Sequence, residues 1–268
     1  MNSPFITLTC LGSGTSYGVP MIGCDCPTCL SVDPRDRRMN ASLLISVKEK
    51  NILIDCGRDF REQAIRYGVK GVDHLLITHT HFDHIAGIDD LRAYTTRNKK
   101  PIQLYGKEAH LDYLKKYTFH YLFDQRTQRG GGLTELELIS VDRPFILEGI
   151  EFEPLPVRHG SFEIYGYKFA QCAYISDVSC IPEDTLARIK GLRVLFLDAL
   201  RFRPHSTHFN IDEALSVVRR LKPEQTYFTH ICHDILHREV DVYFRDQNSS
   251  YFSDSKVRLA YDGLKIEI

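Results

Sequence analysis

The sequence predicts a layered α/β protein, with sheets packed together and helices outside. Three observations carry that expectation. Short apolar runs rich in β-branched and aromatic residues recur along the whole chain. Helical patterns stand between only some of them, which excludes a simple strand–helix alternation. Hydrophobic residues make up 43% of 268, ample for a buried core.

In chain order the expected strands are FITLTCL, ASLLISV, NILID, HLLIT, IQLYG, IEFEPLPV, YKFA, CAYIS, VLFLD, QTYFT and VRLAY. The expected helices are RDFREQAIRYG, KEAHLDYLKKY, IPEDTLARIKG and NIDEALSVVRRLK. The last starts at Asn210 as N-cap with Glu213 three residues on, a capping-box pattern. The polar, triple-glycine run FDQRTQRGGGLTE, residues 123–135, reads as a loop within a domain, because strand-like runs continue on both sides. Without a repeat or a Pro/Ser-rich linker, one domain over residues 1–268 is expected.

A formal net charge of −1 advertises no broad basic surface for nucleic acid. The short basic runs RDRRMN, RNKK and RRLK read as solvated faces. The N-terminal stretch lacks the basic region and long apolar run of a signal peptide. No segment approaches the roughly 20 apolar residues of a membrane span. Eight cysteines without an export signal favour a reducing compartment, so a cytoplasmic location is expected, with thiols used for metal or packing.

Two clusters carry chemistry. GCDCPTCL, residues 23–30, places Cys24, Cys26 and Cys29 among Gly, Asp, Pro and Thr, surroundings that suit a thiolate metal site better than apolar packing. LLITHTHFDHIAGIDDL follows a strand run with His79, His81, Asp83 and His84. Three imidazoles and a carboxylate that close together suit zinc, iron or manganese. One short loop cannot wrap all four around a single ion without strain. Alternate residues 79 and 81 can serve one ion and the pair 83 and 84 another. Strand runs end in ligand-type residues three more times, at His159, Asp177 and His230, which brings the donors to the seven that two ions with open water positions need. Asp198 also closes a strand run, without an assigned role. Cys10, Cys56, Cys172 and Cys180 lie in or beside strands and read as packing. His74, His110, His120 and His237 read as surface residues, and the backbone at Gly12–Thr15 as able to approach a phosphate.

The pattern H-x-H-x-D-H at His79, His81, Asp83 and His84 resembles the signature of the metallo-β-lactamase superfamily. Asp55 in LIDCG resembles its first motif, a supporting aspartate that does not ligate. His159, Asp177 and His230 resemble its later ligand motifs. The resemblance implies a four-layer αββα sandwich with the site at one sheet edge. One divalent ion, zinc or manganese, would take His79, His81 and His159; a second would take Asp83, His84 and His230, with Asp177 bridging. An imidazole at position 81, where redox relatives carry a carboxylate, argues for hydrolysis.

In FTHICHDI, His233 lies three residues beyond His230 and can point away from it, which completes a Cys3His structural zinc site with the loop at 23–30. Cys232 is the rival fourth ligand. LGSGTSYGVPMIGCDCPTC together with THICH resembles the phosphoribosyl cyclic phosphodiesterase branch, in which the cysteine metal is structural. That branch implies hydrolysis of a small, cyclic phosphodiester by a hydroxide bridging two metals, with Asp83 in the catalytic set. His208, 22 residues before His230, matches the position of the acid in related nucleases, leaving His205 as decoy or support. The alternatives are a tRNA 3′-processing endonuclease, disfavoured by the short basic arm, and an accessory protein similar to pyrroloquinoline quinone biosynthesis protein B. A small phosphodiester is the expected partner, with no membrane; the resemblance is compatible with a homodimer.

Overall fold

The computed structural model describes residues 5–128, 130–246 and 256–268; Arg129, within the expected loop at 123–135, lies outside them. The chain divides into two compact units, Met1–Leu11, Ser42–Asp142 and Gly263–Ile268 in the first, Gly12–Ala41 and Arg143–Asp262 in the second. Each is built on one seven-stranded mixed sheet with helices. The α/β class is the expected one.

In the first unit the strands are β1 (Ile6–Gly12), β2 (Ser42–Val47), β3 (Lys50–Ile54), β4 (His74–Leu76), β5 (Ile102–Gly106), β6 (Leu136–Ser140) and, from the other end of the chain, β14 (Lys265–Glu267). Their order is β14-β1-β2-β3-β4-β5-β6. β2 and β3 form an antiparallel hairpin, whereas β3 to β6 run parallel. Parallel strands bury both faces, which explains why β4 is buried throughout and why β3 ends in the apolar run ILI. Leu53, Leu75, Ile77 and Leu104 pack with Phe60 of α1 (Phe60–Arg66) and with Ile85 of α2 (Phe82–Ile85). Tyr94 of α3 (Arg92–Asn98), Leu111 of α4 (Glu108–Tyr113) and Leu122 of α5 (His120–Phe123) complete this core. The helix expected over KEAHLDYLKKY stops at Tyr113 and continues as a wider turn over Leu114–Thr118. The Phe119 N–H reaches the Leu114 carbonyl at 2.8 Å, and this extra residue in the turn lets Leu114 and Phe119 both stay buried.

The second unit holds β7 (Phe145–Leu147), β8 (Ile150–His159), β9 (Phe162–Phe169), β10 (Cys172–Ile175), β11 (Val194–Asp198), β12 (Gln225–Thr229) and β13 (Lys256–Leu259). β7 to β10 are antiparallel and β10 to β13 parallel. Ile175, Leu195, Leu197 and Phe228 pack with Leu186 of α6 (Glu183–Arg188), Leu215 and Val218 of α7 (Ile211–Leu221), and Val240 of α8 (His237–Asp246). α7 begins in the expected capping box, Asn210 Oδ1 accepting from the Glu213 N–H and Glu213 Oε2 from the Asn210 N–H, both at 2.9 Å.

Several expectations are corrected. YKFA is only the end of β9, which pairs with β8 over its whole length, from Phe152↔Phe169 to His159↔Phe162. Gly166 in that strand has no room for a Cβ, which would stand 2.9 Å from the Tyr174 carbonyl oxygen. β6, β7 and β14 had no clear strand pattern: they are edge or near-edge strands, short and partly solvated, so their residues alternate weakly. Cys180 is exposed, in an isolated bridge opposite Arg158, rather than packed. His74 and His237 are buried, not on the surface. Burial and the Arg38 guanidinium, which donates to His237 Nδ1 at 3.0 Å, bring the His237 pKa down to about 4. Among the described residues no helix is long and apolar enough to cross a membrane.

Asn210→Ala removes the side-chain cap of α7 and leaves a helix N–H without its acceptor. We expect unfolding free energy, measured in urea, to fall by about 1 kcal/mol, with the denaturant slope unchanged.

Candidate metal centres

Candidate metal-ligand residues gather at or just after the carboxyl ends of strands in both sheets, most of them parallel strands, where α/β proteins bind ligands. In the first unit Asp55 follows β3, and Thr78 and His79 follow β4. Asp55 is fully buried and accepts from the Thr78 N–H at 2.8 Å, from Thr78 Oγ1 at 2.9 Å and from His84 Nδ1 at 2.8 Å. With its own proton given to Asp55, Thr78 Oγ1 accepts from His79 Nδ1 at 3.0 Å. Two imidazoles are therefore locked through Nδ1, so Nε2 is the atom that could reach a metal. His84 Nε2 lies 3.2 Å from Asp83 Oδ2. The His79 ring centroid is 4.5 Å from that of His81 and 4.3 Å from that of His84. Burial pushes the Asp55 carboxyl upward, opposed by His84 and the Thr78 donors.

What carries this loop back to its sheet is Gly87. Its N–H donates to the Cys56 carbonyl, and a Cβ there would stand 2.2 Å from the Gly57 carbonyl oxygen and 2.6 Å from Phe60 Cβ. Only glycine allows that approach.

The second unit repeats the device with Asp198 at the end of β11. Its buried Oδ2 accepts from the Val178 N–H and from His208 Nδ1, both at 2.8 Å. His159, at the end of β8, donates from Nδ1 to the Thr207 carbonyl at 2.8 Å. His230, just after β12, has Nε2 at 3.2 Å from Asp177 Oδ1. The His208 ring stacks on that of His230 at 4.8 Å and 12°, and meets that of His159 edge-on at 4.7 Å. His205 is exposed, its ring 5.1 Å from that of His208, and burial, His208 and Arg201 hold its pKa below the usual histidine value.

Asp55, Asp177 and His230 all have positive φ, 62°, 57° and 59°. Non-glycine residues reach that region at a cost of order 1–3 kcal/mol, and such strain gathers at functional sites. Here it turns each side chain at the point where a strand ends.

The cysteine cluster lies within the second unit. His233 Nδ1 is 3.3 Å from Cys24 Sγ, 3.5 Å from Cys26 Sγ and 3.7 Å from Cys29 Sγ. Ligands at about 2.3 Å for sulfur and about 2.0 Å for nitrogen around a tetrahedral ion stand about 3.6 Å apart, so this donor set fits zinc. Burial opposes the Cys26 thiolate, but the Cys29 N–H and His233 outweigh it and bring its pKa down to about 6; burial and the neighbouring Cys26 push Cys29 up to about 11. His233 is thus the fourth member of the group, whereas Cys232 faces elsewhere, its Sγ accepting from the Asp234 N–H at 3.4 Å. The catalytic-type clusters fit metal as well. The 3.2 Å spacings of His84 Nε2 to Asp83 and of His230 Nε2 to Asp177 are close to the about 3.4 Å expected for nitrogen and oxygen on one tetrahedral ion.

Residues 50–231 match the family model described as a beta-lactamase superfamily domain. The chain belongs to the metallo-β-lactamase superfamily. Within it, the chain is 43% identical to a solved structure described as a new diphosphatase from the PhnP family, with a TM-score of 0.88 over 98% of this chain and 97% of that one. It is 37% identical to an octanoyltransferase of Porphyromonas gingivalis over 85% of its own length and 46% of that protein's. It is 31% identical to a ribonuclease Z of Clostridium acetobutylicum over 50% of its length and 45% of that protein's. The chain thus spans about half the length of these two relatives.

One site expectation is overturned. The loop after β1 does not offer its N–H groups to a phosphate. The Ser13 N–H goes to Asp262 Oδ1, that of Gly14 to the Met39 carbonyl and that of Thr15 to the Ile231 carbonyl. Asp198, noted at a strand end without a role, and Thr207, not noted at all, are orienting residues. Asp198 shared the strand-end position of the other site residues, a signal that was present. Thr207 acts through its backbone carbonyl, for which sequence carries no signal.

Cys26→Ser should cost one equivalent of bound zinc and lower Tm while leaving turnover per folded molecule near wild type, because a structural zinc contributes folding energy. Metal analysis, calorimetry and kinetics on one preparation check this. Unchanged Tm with lost turnover would contradict it. Asp55→Ala frees Nδ1 of His84, and affinity for catalytic metal should weaken about 10–100-fold in a chelator competition.

Proposed function

We propose that this chain is a metal-dependent phosphodiesterase acting on a small, preferentially cyclic, phosphodiester. Superfamily membership and the seven donors His79, His81, Asp83, His84, His159, Asp177 and His230 support two divalent ions, zinc or manganese, at these residues. Such ions polarise phosphoryl oxygens and render water nucleophilic near neutral pH.

The observation that carries the reading is His208. Its Nδ1–H is held by buried Asp198, so Nε2 is the atom that gives and takes a proton. Its ring lies against two imidazoles of the donor set, His159 and His230. Held in this way, His208 is placed to hand a proton from Nε2 to the departing alkoxide. His208 is not one of the seven donors of the superfamily pattern, which leaves its oriented Nε2 for the proton. Asp83 pairs closely with His84 Nε2 and belongs to the donors.

A second reading, cleavage of a P–O–P bond, is favoured by the 43% identity to a PhnP-family diphosphatase. The same residues serve both, since a phosphate leaving group also gains from a proton. A ribonuclease reading rests on partial similarity over half of the chain.

Turnover should be measured on a five-membered cyclic ribose phosphate, a dinucleoside diphosphate and a precursor tRNA, with protein reloaded in manganese or zinc. Opening of the cyclic ester with tRNA intact is the expected result; cleavage of tRNA alone would refute the proposal. His208→Ala should keep its metal but lose about 10²–10⁴-fold in kcat on alkyl esters, and far less on nitrophenyl esters. An unchanged rate on alkyl esters would remove His208 from the mechanism.

A further inference from the structure

Thr207 is the hub of the segment joining β11 to α7. Its carbonyl accepts from His159 Nδ1. Its N–H and its hydroxyl both reach His205 Nδ1, at 3.3 and 3.2 Å. Gly160 lies so close that a Cβ there would stand 2.9 Å from Thr207 Cγ2, which keeps the hub in place.

A ring nitrogen that receives an N–H acts as acceptor, so neutral His205 carries its proton on Nε2. Among the described residues no partner takes that Nε2–H, and His205 is exposed whereas His159, His208 and His230 are buried. The protein thus spends two donors to orient an imidazole whose own donor it leaves unused, with the ring 5.1 Å from that of His208. A preoriented, unspent donor beside an acid is what stabilising charge on a substrate requires.

We propose that His205 is a further catalytic residue, donating from Nε2–H to a non-bridging phosphoryl oxygen of the substrate as negative charge builds there. The assignment rests on the phosphodiesterase reading above. In the step, water oxygen joins phosphorus and the P–O bond to the leaving group breaks. His208 gives its proton to the leaving oxygen, and the proton released by water restores it through solvent. His205 neither gains nor loses a proton, which separates its role from that of His208.

The test compares wild type, His205→Ala, His205→Gln and His208→Ala on diesters with leaving groups from nitrophenol to alkyl alcohol, with metal content measured on each. His205→Ala should lower kcat about 10²-fold by the same factor for every leaving group, with metal content and KM near wild type. His205→Gln, which retains an N–H near the position of Nε2, should recover about tenfold of that loss. Wild-type kcat in His205→Ala would overturn the proposal. So would a loss that grows with leaving-group pKa, which would make His205 the acid, or a loss of metal, which would reduce it to a prop for Thr207 and His159. If wild type itself turned over none of the diesters, the parent reading would fall and this one with it.

Discussion

Two buried carboxylates, Asp55 and Asp198, each accept an imidazole Nδ1–H at 2.8 Å while also accepting a backbone N–H from a neighbouring strand end. A lone carboxylate without access to water is costly unless its lone pairs are filled. Both oxygens of Asp55, and Oδ2 of Asp198, are filled by groups that must themselves be oriented, so the burial cost becomes a constraint on His84 and His208. Release of either imidazole would leave a buried acceptor short of a partner, at about 1–3 kcal/mol or more for a charged group. Each unit carries its own copy of this device at the carboxyl ends of its own parallel strands.

A second constraint ties the cysteine site to the ligand set within the second unit. His230 and His233 flank Ile231, whose N–H donates to the Ser13 carbonyl and whose carbonyl accepts from the Thr15 N–H. Ser13 is in turn held by Asp262 Oδ1 and by Arg38, a fully buried side chain that also donates to the Ala260 carbonyl. A metal held by Cys24, Cys26, Cys29 and His233 would cross-link the loop before Ser31 to the segment that presents His230. Ser31 continues that link by donating to Asp36, which accepts the N–H of His237 at the start of α8. With a metal bound there, the cysteine loop would stiffen the end of β12.

The candidate ligands were legible because ligand-type residues are rare at strand ends and their excess is visible in one dimension. The run from His79 to His84 and the three cysteines are local in sequence, so spacing alone marks them. The central strands were legible for the same reason, being continuous apolar runs. Edge strands such as β6 and β14 were not, because a partly solvated strand needs only a few apolar residues. The burial of His74 and His237 escaped notice because a histidine is accommodated inside only when a particular partner, such as Arg38, is there to meet it.

Residue identity by itself determined the candidate donors, the α/β class and the capping box of α7, since these depend on side-chain chemistry and local periodicity. Tertiary structure alone decided which atoms face which. Which ring nitrogen of His84, His159 and His208 the protein itself holds depends on partners 29, 48 and 10 residues away. The choice of His233 over Cys232 depended on the turn after β12, and the closure of the Gly12–Thr15 loop to phosphate on acceptors as distant as Asp262. Hydrogen bonds between residues far apart in the chain have no signature in local order, and they are what turns a list of ligands into an oriented site.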